Sequence, residues 1–236
     1  LPCSFLPDPM SLQPIRLALF DLDHTLLPLD SDHAWGEFTV KLGWRDAITH
    51  SHANDAFYAQ YQAGTLDIAA YVRFATSAAR EHGQAQADQA HARFMQEVIC
   101  PAIRPQAIEL VREHQRAGDL VVIVTATNEF VTRPIAQAFG VDELIAIELE
   151  RDAQGEPTGE IWGTPSFREG KVARVEQWLT ARGLSWDRVA HSSFYSDSIN
   201  DLSLLEKVDQ PVATNPDARL SAIATERGWR TLTLFS

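Results

Sequence analysis

Several short apolar runs that each break off at a polar residue restrict the fold of this chain more than any other feature. Two of these runs are residues 15–20 and 120–124, followed by Asp21 and Thr125, and a further strand predicted at residues 189–195 is followed by Ser196. Apolar runs of this length are typical of strands that are buried on both faces of a parallel sheet. Helical patterns separate the runs, so the sequence predicts right-handed crossovers and a doubly wound parallel-sheet α/β fold. A site in such a fold lies beyond the carboxyl ends of the strands.

The remaining elements follow from the same patterns. Further strands are predicted at residues 144–149 and 211–214, a hairpin at residues 152–163 and a helix at residues 171–182. Another helix ends at Gly140, and Pro134 inside it predicts a late start or a kink.

A long helical block stands between the first two strands. From Asp32 to about Ala117 the apolar residues recur at helical spacing, and glycines and prolines separate successive helices. No strand pattern interrupts the block, which is too long for a simple connection. We therefore predict an inserted all-helical cap domain at residues 30–104, with the core at residues 12–29 and 105–236.

Composition argues against several classes of function. The chain has 236 residues, enough for one core domain and a smaller insert. Its 20 basic and 32 acidic side chains give a formal charge of -12, which argues against broad electrostatic contact with nucleic acid or an anionic membrane surface. A small anion must therefore be held locally, by a metal ion and a few cations.

Membrane insertion and secretion are not expected either. No run approaches the roughly 20 apolar residues of a membrane span, and residues 1–14 lack the basic start and apolar core of a signal peptide. The two cysteines, Cys3 and Cys100, form neither a disulfide framework nor a zinc-binding spacing. We predict a cytoplasmic protein, and the sequence carries no signal for an oligomeric state.

Two carboxylates, Asp21 and Asp23, directly follow the first strand. Both can face one crevice if the backbone bends there, and a metal ion would let the two charges share it. In that case Asp21 is a candidate nucleophile toward phosphorus. Asp23 is a candidate general acid for the leaving alcohol and then a base for water. The alternative is a solvated turn, because Asp-x-Asp is common at the ends of strands.

The first strand and its end resemble a motif of the haloacid dehalogenase superfamily, whose phosphatases carry Asp-x-Asp-x-Thr at this place. Here the segment reads Phe-Asp-Leu-Asp-His-Thr-Leu from residue 20 to residue 26. The resemblance implies a Rossmann-like core in which Asp21 becomes phosphorylated and binds Mg²⁺. It also implies that the backbone carbonyl of Asp23 is a second metal ligand and that Thr25 orders the loop. Asp23 argues against halide displacement, because a dehalogenase needs no acid for its leaving group.

Thr125 follows the second apolar run, where its hydroxyl and the next N–H group, that of Ala126, can hold a phosphate oxygen. A threonine there can equally be a helix cap. The superfamily has Thr or Ser at this place. The following pair, Thr127-Asn128, departs from the Ser-Gly-Gly of many phosphoserine phosphatases, and this departure leaves the substrate open.

Lys171 stands at the predicted start of a helix, where the helix dipole disfavours a cation. By the resemblance, it pairs with the nucleophilic aspartate and the phosphoryl oxygens and neutralises charge in the transition state. A surface lysine is the alternative, and Arg168 and Arg174 compete for the same role.

An acidic cluster, which reads Ser-Asp-Ser-Ile-Asn-Asp, follows the fourth predicted strand. Mg²⁺ prefers hard oxygen ligands and few carboxylates, so Asp197 can complete a set that Asp21 begins. Asp201 would then orient water, the metal site or the lysine from behind, and Asn200 would contact the phosphate or the substrate. The pattern resembles that of the superfamily, with Ser196 in place of the usual Gly. An acidic start of a helix is the alternative.

The helical cap directly after the first motif resembles the phosphoserine phosphatase-like branch of the superfamily, subfamily IB. A lid of this kind excludes water and supplies contacts that choose the substrate. In phosphoserine phosphatases a Glu and a cap Arg hold the amino and carboxylate groups of serine. Matching without gaps places Asp30, with Asp32 as its neighbour, at the first position and Arg73 at the second. Asp for Glu shortens the reach, and a solvated helix face is the alternative for Arg73.

We therefore expect a Mg²⁺-dependent phosphomonoesterase that acts through a phospho-aspartate on a small phosphorylated metabolite such as phosphoserine or histidinol phosphate. A phosphomutase of the same superfamily, in which a sugar alcohol accepts the phosphoryl group, is a second hypothesis. A non-catalytic protein that binds a phosphate ligand is a third, although such a protein has no need of a nucleophile.

Overall fold

A parallel sheet forms the centre of the structure, a computed structural model that describes residues 15–235. Its six strands are β1 (Ile15–Phe20), β2 (Leu120–Asn128), β3 (Glu143–Ile147), β6 (Val189–Ser196), β7 (Gln210–Thr214) and β8 (Arg230–Leu232). They lie in the order β3-β2-β1-β6-β7-β8, and every neighbouring pair is parallel. Two further strands, β4 (Leu149–Arg151) and β5 (Pro157–Ile161), pair antiparallel as a separate hairpin. The doubly wound fold predicted from the sequence is confirmed.

Helices fill the connections between the strands. The segment between β1 and β2 contains α1 (Ser31–Lys41), α2 (Ala47–Ala63), α3 (Ile68–His82), α4 (Gln84–Phe94), a π-helical turn (Met95–Ile99), α5 (Cys100–Ala102) and α6 (Pro105–Arg116). The rest of the chain contributes α7 (Glu129–Ala138), α8 (Glu169–Ala181), α9 (Leu202–Leu205) and α10 (Ala218–Arg227). The predictions for Cys3, for residues 1–14 and for the start of the core at residue 12 lie outside the described residues.

The central strand β1 shows why its run is largely apolar. Leu17 and Leu19 pack in the hydrophobic cluster on one side of the sheet, and Ala18 and Phe20 pack in the cluster on the other side. Successive side chains of a strand point to opposite faces. The part of the strand that is covered on both faces therefore has apolar residues at consecutive positions.

The helical insert shares a hydrophobic cluster with the sheet. Trp35 of α1 and Phe94 of α4 are buried in the same cluster as Phe20 and Leu26, and the ring centroids of Trp35 and Phe94 lie 5.4 Å apart. The insert therefore packs on the sheet through α1 and α4.

The hairpin of β4 and β5 contacts the insert at α3. Val72 of α3 forms a small buried cluster with Ile147 and Leu149, and Ile161 packs against it. The strand predicted at residues 144–149 is wrong in one respect, because the chain leaves the sheet after β3 and pairs Leu149 with Ile161 instead. The hairpin predicted at residues 152–163 is present.

Two other differences from the predicted elements concern α7 and the last elements. Pro134 predicted either a late start or a kink, and the late start is wrong: α7 begins at Glu129, where the Asn128 side chain accepts the N–H of Val131, and it runs through Pro134. The short edge strand β8 and the helix α10 have no counterpart among the predicted elements. None of the helices within the described residues has the length and apolar character that crossing a membrane requires.

Candidate active site

The strand order reverses between β1 and β6, because β2 and β3 lie on one side of β1 and β6, β7 and β8 on the other. Ligands of doubly wound sheets bind outside the carboxyl ends of the strands at such a point. Asp21 follows β1 and Asp197 follows β6. The Thr25 hydroxyl oxygen lies 3.3 Å from Oδ2 of Asp21 and 3.2 Å from Oδ1 of Asp197. Both carboxylates therefore face the same hydroxyl, although they are far apart in the sequence.

A bend of the backbone turns the first motif toward one cavity. The carbonyl of Leu22 accepts the N–H of Leu26 at 2.9 Å, as in one turn of a helix. His24, inside the bend, has a φ of 57°. Asp21 and Asp23 both line this cavity.

The ammonium group of Lys171 lies buried between two carboxylates. Its Nζ donates to Oδ1 of Asp21 at 2.8 Å and to Oδ2 of Asp201 at 2.7 Å. Burial alone lowers the pKa of a lysine, but the charges of Asp201 and Asp21 outweigh burial and raise the pKa of Lys171 above its ordinary value. The approach of this helix also requires Gly170, because a Cβ there would lie 2.1 Å from the carbonyl oxygen of Pro165.

The two arginines that compete with Lys171 in the sequence have other partners. Arg174 pairs with Glu148, and Arg168 donates to the carbonyl of Gly64 at the end of α2. Neither arginine lines the cavity. The structure therefore places Lys171, and neither of its competitors, beside Asp21.

Asp201 is the second carboxylate that accepts a hydrogen bond from Lys171. Its Oδ2 also accepts the hydroxyl of Ser196 at 2.7 Å, so the serine that replaces the usual glycine supports this carboxylate. Burial raises the pKa of Asp201 to about 6, and the charge of Lys171 acts in the opposite direction. Oδ2 of this carboxylate thus accepts from two donors, Lys171 and Ser196.

The pair of Asp21 and Asp197 has the chemistry of a magnesium site. Burial and the charge of Asp21 raise the pKa of Asp197 well above its usual value, and a divalent cation would offset this repulsion. Among the residues from 15 to 235, no three His, Cys, Asp or Glu side chains are grouped to hold a metal ion. Two carboxylates and the backbone carbonyl of Asp23 instead suit Mg²⁺, which keeps several water ligands.

Thr125 lies within β2, because the strand runs to Asn128 and does not stop at residue 124. The register with β3 shifts between Val124 and Asn128, so the strand is irregular where it passes the site. Thr125 and Ala126 line the cavity, and Oγ1 of Thr125 accepts the N–H of Thr127 at 3.1 Å. Asn128 caps α7, so the alternative role of Thr125 as a helix cap is excluded.

Asn200 lies at the cavity and carries a donor that is unpaired within the described part of the chain. Its side chain lines the cavity, and its Nδ2 is buried without a hydrogen-bond partner among the described residues. A buried donor that stays unpaired is costly. A phosphate oxygen would supply the missing acceptor.

Asp23 is held through both of its carboxylate oxygens. Oδ1 accepts the N–H of Ser31 at 2.8 Å, and Oδ2 accepts the hydroxyl of Thr127 at 2.8 Å. Burial and the nearby charge of Asp30 raise the pKa of Asp23 well above its usual value, which favours a carboxyl group that carries a proton. The sequence predicted neither partner, although the departure of Thr127-Asn128 from Ser-Gly-Gly was a signal at the right place.

The helical insert covers these groups and leaves a cavity of about 170 Å³. One face of α2 supplies much of the wall: Asn54, Phe57, Tyr58, Tyr61 and Gln62. The hydroxyl of Tyr61 donates to Oγ of Ser198 at 3.1 Å, which joins the insert to the loop that carries Asp197. Asp30 also lines the cavity and caps α1 by accepting the N–H of His33 at 2.9 Å.

The second residue predicted to bind the substrate, Arg73, is not brought to the cavity. Its guanidinium lies 3.0 Å from a carboxylate oxygen of Glu160 on β5, and both side chains are half exposed. Tyr71, two residues earlier on α3, does line the cavity. Residues two apart on a helix point away from each other, so Arg73 faces outward.

The neighbour of Asp30, Asp32, is buried at the start of α1. Its Oδ1 accepts the N–H of Asn128 Nδ2 at 3.2 Å. Burial, followed by the charge of Asp30, raises the pKa of Asp32 to about 7. The start of the helical insert thus gathers acidic groups beside the cavity.

Comparison with known proteins agrees with this geometry. The model of the haloacid dehalogenase-like hydrolase family matches residues 18–206. A histidinol-phosphatase of Neisseria meningitidis is 44% identical over 217 residues, which cover 92% of this chain and 98% of that protein.

Solved structures resemble the chain as well. A protein of unknown function from Bordetella pertussis Tohama I is 49% identical with a TM-score of 0.89, over 94% of this chain and 99% of that one. A phosphoserine phosphatase with an analogue of its phospho-aspartyl intermediate is 18% identical with a TM-score of 0.61, over 93% of this chain and 94% of its own. This second likeness concerns the fold alone. The family model and the 44% identical relative show that this chain belongs to the haloacid dehalogenase-like hydrolase family, as one of its phosphatases.

Proposed function

We propose that the chain is a Mg²⁺-dependent phosphomonoesterase that forms a phospho-aspartate on Asp21 and releases phosphate from a small phosphorylated metabolite. The observation that carries this proposal is the buried Lys171 ammonium group, 2.8 Å from Asp21 and 2.7 Å from Asp201, at the wall of the cavity. A permanently charged group at this place stabilises the charge that spreads over a transferring phosphoryl group.

In the first step the chain binds the phosphate ester and transfers its phosphoryl group to Asp21. The Lys171 ammonium, the Thr125 hydroxyl, the Ala126 N–H and Nδ2 of Asn200 would donate to the phosphate oxygens. A carboxylate oxygen of Asp21 attacks phosphorus in line, so a bond from Asp21 to phosphorus forms and the ester bond from phosphorus to oxygen breaks. Asp23 gives its proton to the departing alkoxide.

In the second step water regenerates the enzyme. Asp23, now a carboxylate, accepts a proton from the water molecule whose oxygen attacks phosphorus. The bond between phosphorus and Asp21 breaks, and inorganic phosphate leaves with Asp21 restored. Asp23 is protonated again, which readies it for the next cycle.

The metal would be held by the carboxylates of Asp21 and Asp197 and by the backbone carbonyl of Asp23. When bound, it supplies positive charge that offsets the negative charge of the carboxylates and of the phosphoryl oxygens. Burial and the charge of Asp21 raise the pKa of Asp197, and a cation held between the two carboxylates would offset both effects.

For the organic part of the substrate, the cavity favours a phosphorylated amino alcohol. Asp30 provides an acidic group, and Phe57, Tyr58 and Tyr71 provide aromatic walls on which a cation or an imidazole ring packs well. Arg73, which would have held a carboxylate, pairs with Glu160 outside the cavity. Histidinol phosphate is therefore the first substrate to test, and the name of the 44% identical relative points the same way.

Phosphoserine is the second substrate to test, because Arg219 also lines the cavity and could bind a carboxylate.

The phosphomutase hypothesis differs in that a sugar alcohol replaces water as the acceptor. A protein that only binds phosphate ligands would use neither Asp21 as a nucleophile nor Asp23 as an acid.

The decisive experiment measures phosphate release from histidinol phosphate, phosphoserine, phosphoethanolamine and sugar phosphates, with Mg²⁺ and with EDTA. We expect release only with Mg²⁺, and loss of at least about a thousandfold in Asp21→Asn. Asp187→Asn, the same change at an exposed position, is the matched control. Equal activity of wild type and Asp21→Asn would refute the mechanism. Transfer to a sugar alcohol without phosphate release would identify a mutase, and binding without turnover would identify a ligand-binding protein.

The cytoplasmic location stays a prediction. It is supported by the cysteine content, since Cys100 is a free and exposed thiol and such residues are typical of a reducing compartment.

A further inference from the structure

The side chain of Asp23 accepts hydrogen bonds from two different parts of the fold. Ser31 is the first residue of α1, and its N–H donates to Oδ1 at 2.8 Å. Thr127 lies near the end of β2, and its hydroxyl donates to Oδ2 at 2.8 Å. One contact therefore comes from the helical insert and the other from the sheet.

A general acid is useful only if its carboxyl group points at the leaving oxygen. A carboxyl group that is held through one oxygen can still swing about its last side-chain bond, which is a soft torsion. A second donor on the other oxygen removes this freedom. Each carboxyl oxygen has two acceptor positions, so the hydroxyl of Thr127 leaves one of them free for the proton that is transferred.

Thr127 itself is well placed to hold a fixed position. It is buried, it lines the cavity, and its backbone N–H donates to Oγ1 of Thr125 at 3.1 Å. Its hydroxyl and its backbone thus serve two neighbouring groups of the site. A substitution of the side chain removes the first contact and keeps the second.

We infer that Thr127 is a positioning residue for the proton transfers of Asp23, acting through the hydrogen bond from its hydroxyl to Oδ2. The inference rests on the proposed function, in which Asp23 protonates the leaving alkoxide. It assigns a role to a residue that the sequence marked only as a departure from a family pattern.

The dependence on the leaving group tests this role. An alkyl phosphate needs its leaving oxygen protonated, whereas p-nitrophenolate leaves readily without an acid. We would measure kcat/KM, which reports the steps up to release of the alcohol, for p-nitrophenyl phosphate and for the alkyl ester of the substrate panel that wild type turns over fastest. Thr127→Val has nearly the same shape as threonine and lacks only the hydroxyl. We expect it to lose about tenfold or more on the alkyl ester and less than about threefold on p-nitrophenyl phosphate.

Two other variants make the result decisive. Thr127→Ser restores the hydroxyl, and we expect it to recover most of the alkyl-ester activity. Asp23→Asn removes the acid and should show the same preference for the better leaving group, more strongly. If Thr127→Val loses activity equally on both esters, or on neither, Thr127 does not position the acid and the inference is wrong. If Asp23→Asn also lacks the preference, the proposed role of Asp23 fails instead.

Discussion

The ammonium nitrogen of Lys171 lies 2.8 Å from Oδ1 of Asp21, although 150 residues separate the two in the sequence. Both side chains are almost fully buried, so this contact is not weakened by solvent as a surface ion pair is. It joins the end of β1 to the start of α8, and it combines a structural contact with the proposed catalytic function.

Replacing the buried cation should therefore reduce activity and stability together. In Lys171→Met the carboxylates of Asp21 and Asp201 lose their shared partner, and breaking such a pair costs about 3–5 kcal/mol. We expect kcat/KM to fall by about 10²–10³, as for the loss of a group that stabilises transition-state charge. Phosphate-release kinetics and urea unfolding measure the two effects.

Lys207→Met is the control for that substitution. Nζ of Lys207 lies 3.6 Å from Oε1 of Glu176, and both side chains are exposed. Its replacement should change the unfolding free energy by less than about 1 kcal/mol. Similar losses in the two variants would contradict the special role of the buried lysine.

Mg²⁺ should stabilise the folded chain through Asp197. An ion at 100 times its dissociation constant adds about 2.7 kcal/mol to the unfolding free energy, so a thermal melt should shift upward when Mg²⁺ replaces EDTA. Asp197→Asn should show a much smaller shift, because it loses a charged ligand, whereas the exposed Asp187→Asn should match wild type. An undiminished shift in Asp197→Asn would place the ion elsewhere.

Substitutions of Asp30 and of Arg73 should have different effects on kcat/KM. Asp30→Asn keeps the cap of α1, since Asn is as good a helix cap as Asp, but removes the charge beside the cavity. We expect about a tenfold lower kcat/KM for histidinol phosphate and little change for p-nitrophenyl phosphate. Arg73→Met should stay within about twofold of wild type on both, because its partner is Glu160 on the surface. A large loss in Arg73→Met would show that this arginine reaches the substrate after all.

Asp32 should make stability depend on pH. Its pKa is raised from 3.8 to about 7 in the folded chain, so the folded state binds more protons than the unfolded state between these values. The contribution of the group is therefore fully present below pH 3.8 and is lost as the pH rises through about 7.

The comparison of wild type with Asp32→Asn isolates this effect, because contributions from other groups cancel. Over the interval from pH 4 to pH 7, the unfolding free energy of wild type should fall relative to the variant by about 1–3 kcal/mol. Chemical unfolding at several pH values measures the difference. A constant difference, or one that grows with pH, would mean that Asp32 is not protonated by burial.

The sequence by itself determined the fold class and the chain order of the site. The apolar run of β1 and the strand pattern of β6 are visible without a structure, so these strands and the polar residues after them could be placed at one edge of a sheet. Together with the family resemblance, which assigned the role of Lys171, this pattern brought Asp21, Lys171 and Asp197 into one hypothesis.

Only the tertiary structure decided which side chains meet. Lys171 reaches Asp21 while Arg168 and Arg174 find other partners, and Arg73 turns outward from the cavity that Tyr71 lines. These outcomes depend on the direction in which each side chain leaves its helix and on how the helices pack, which the spacing of apolar residues does not reveal.

The contacts of Asp23 show the same limit. Thr127 donates to it across 104 residues, and Thr125 and Thr127 both line the cavity where the register of β2 shifts after Val124. A regular strand places residues two apart on the same face, but the direction of that face depends on the register shift in β2. No sequence pattern predicted this shift. Apolar periodicity is a local property of the chain, whereas hydrogen bonds between distant residues are decided only when the whole sheet and its helices have packed.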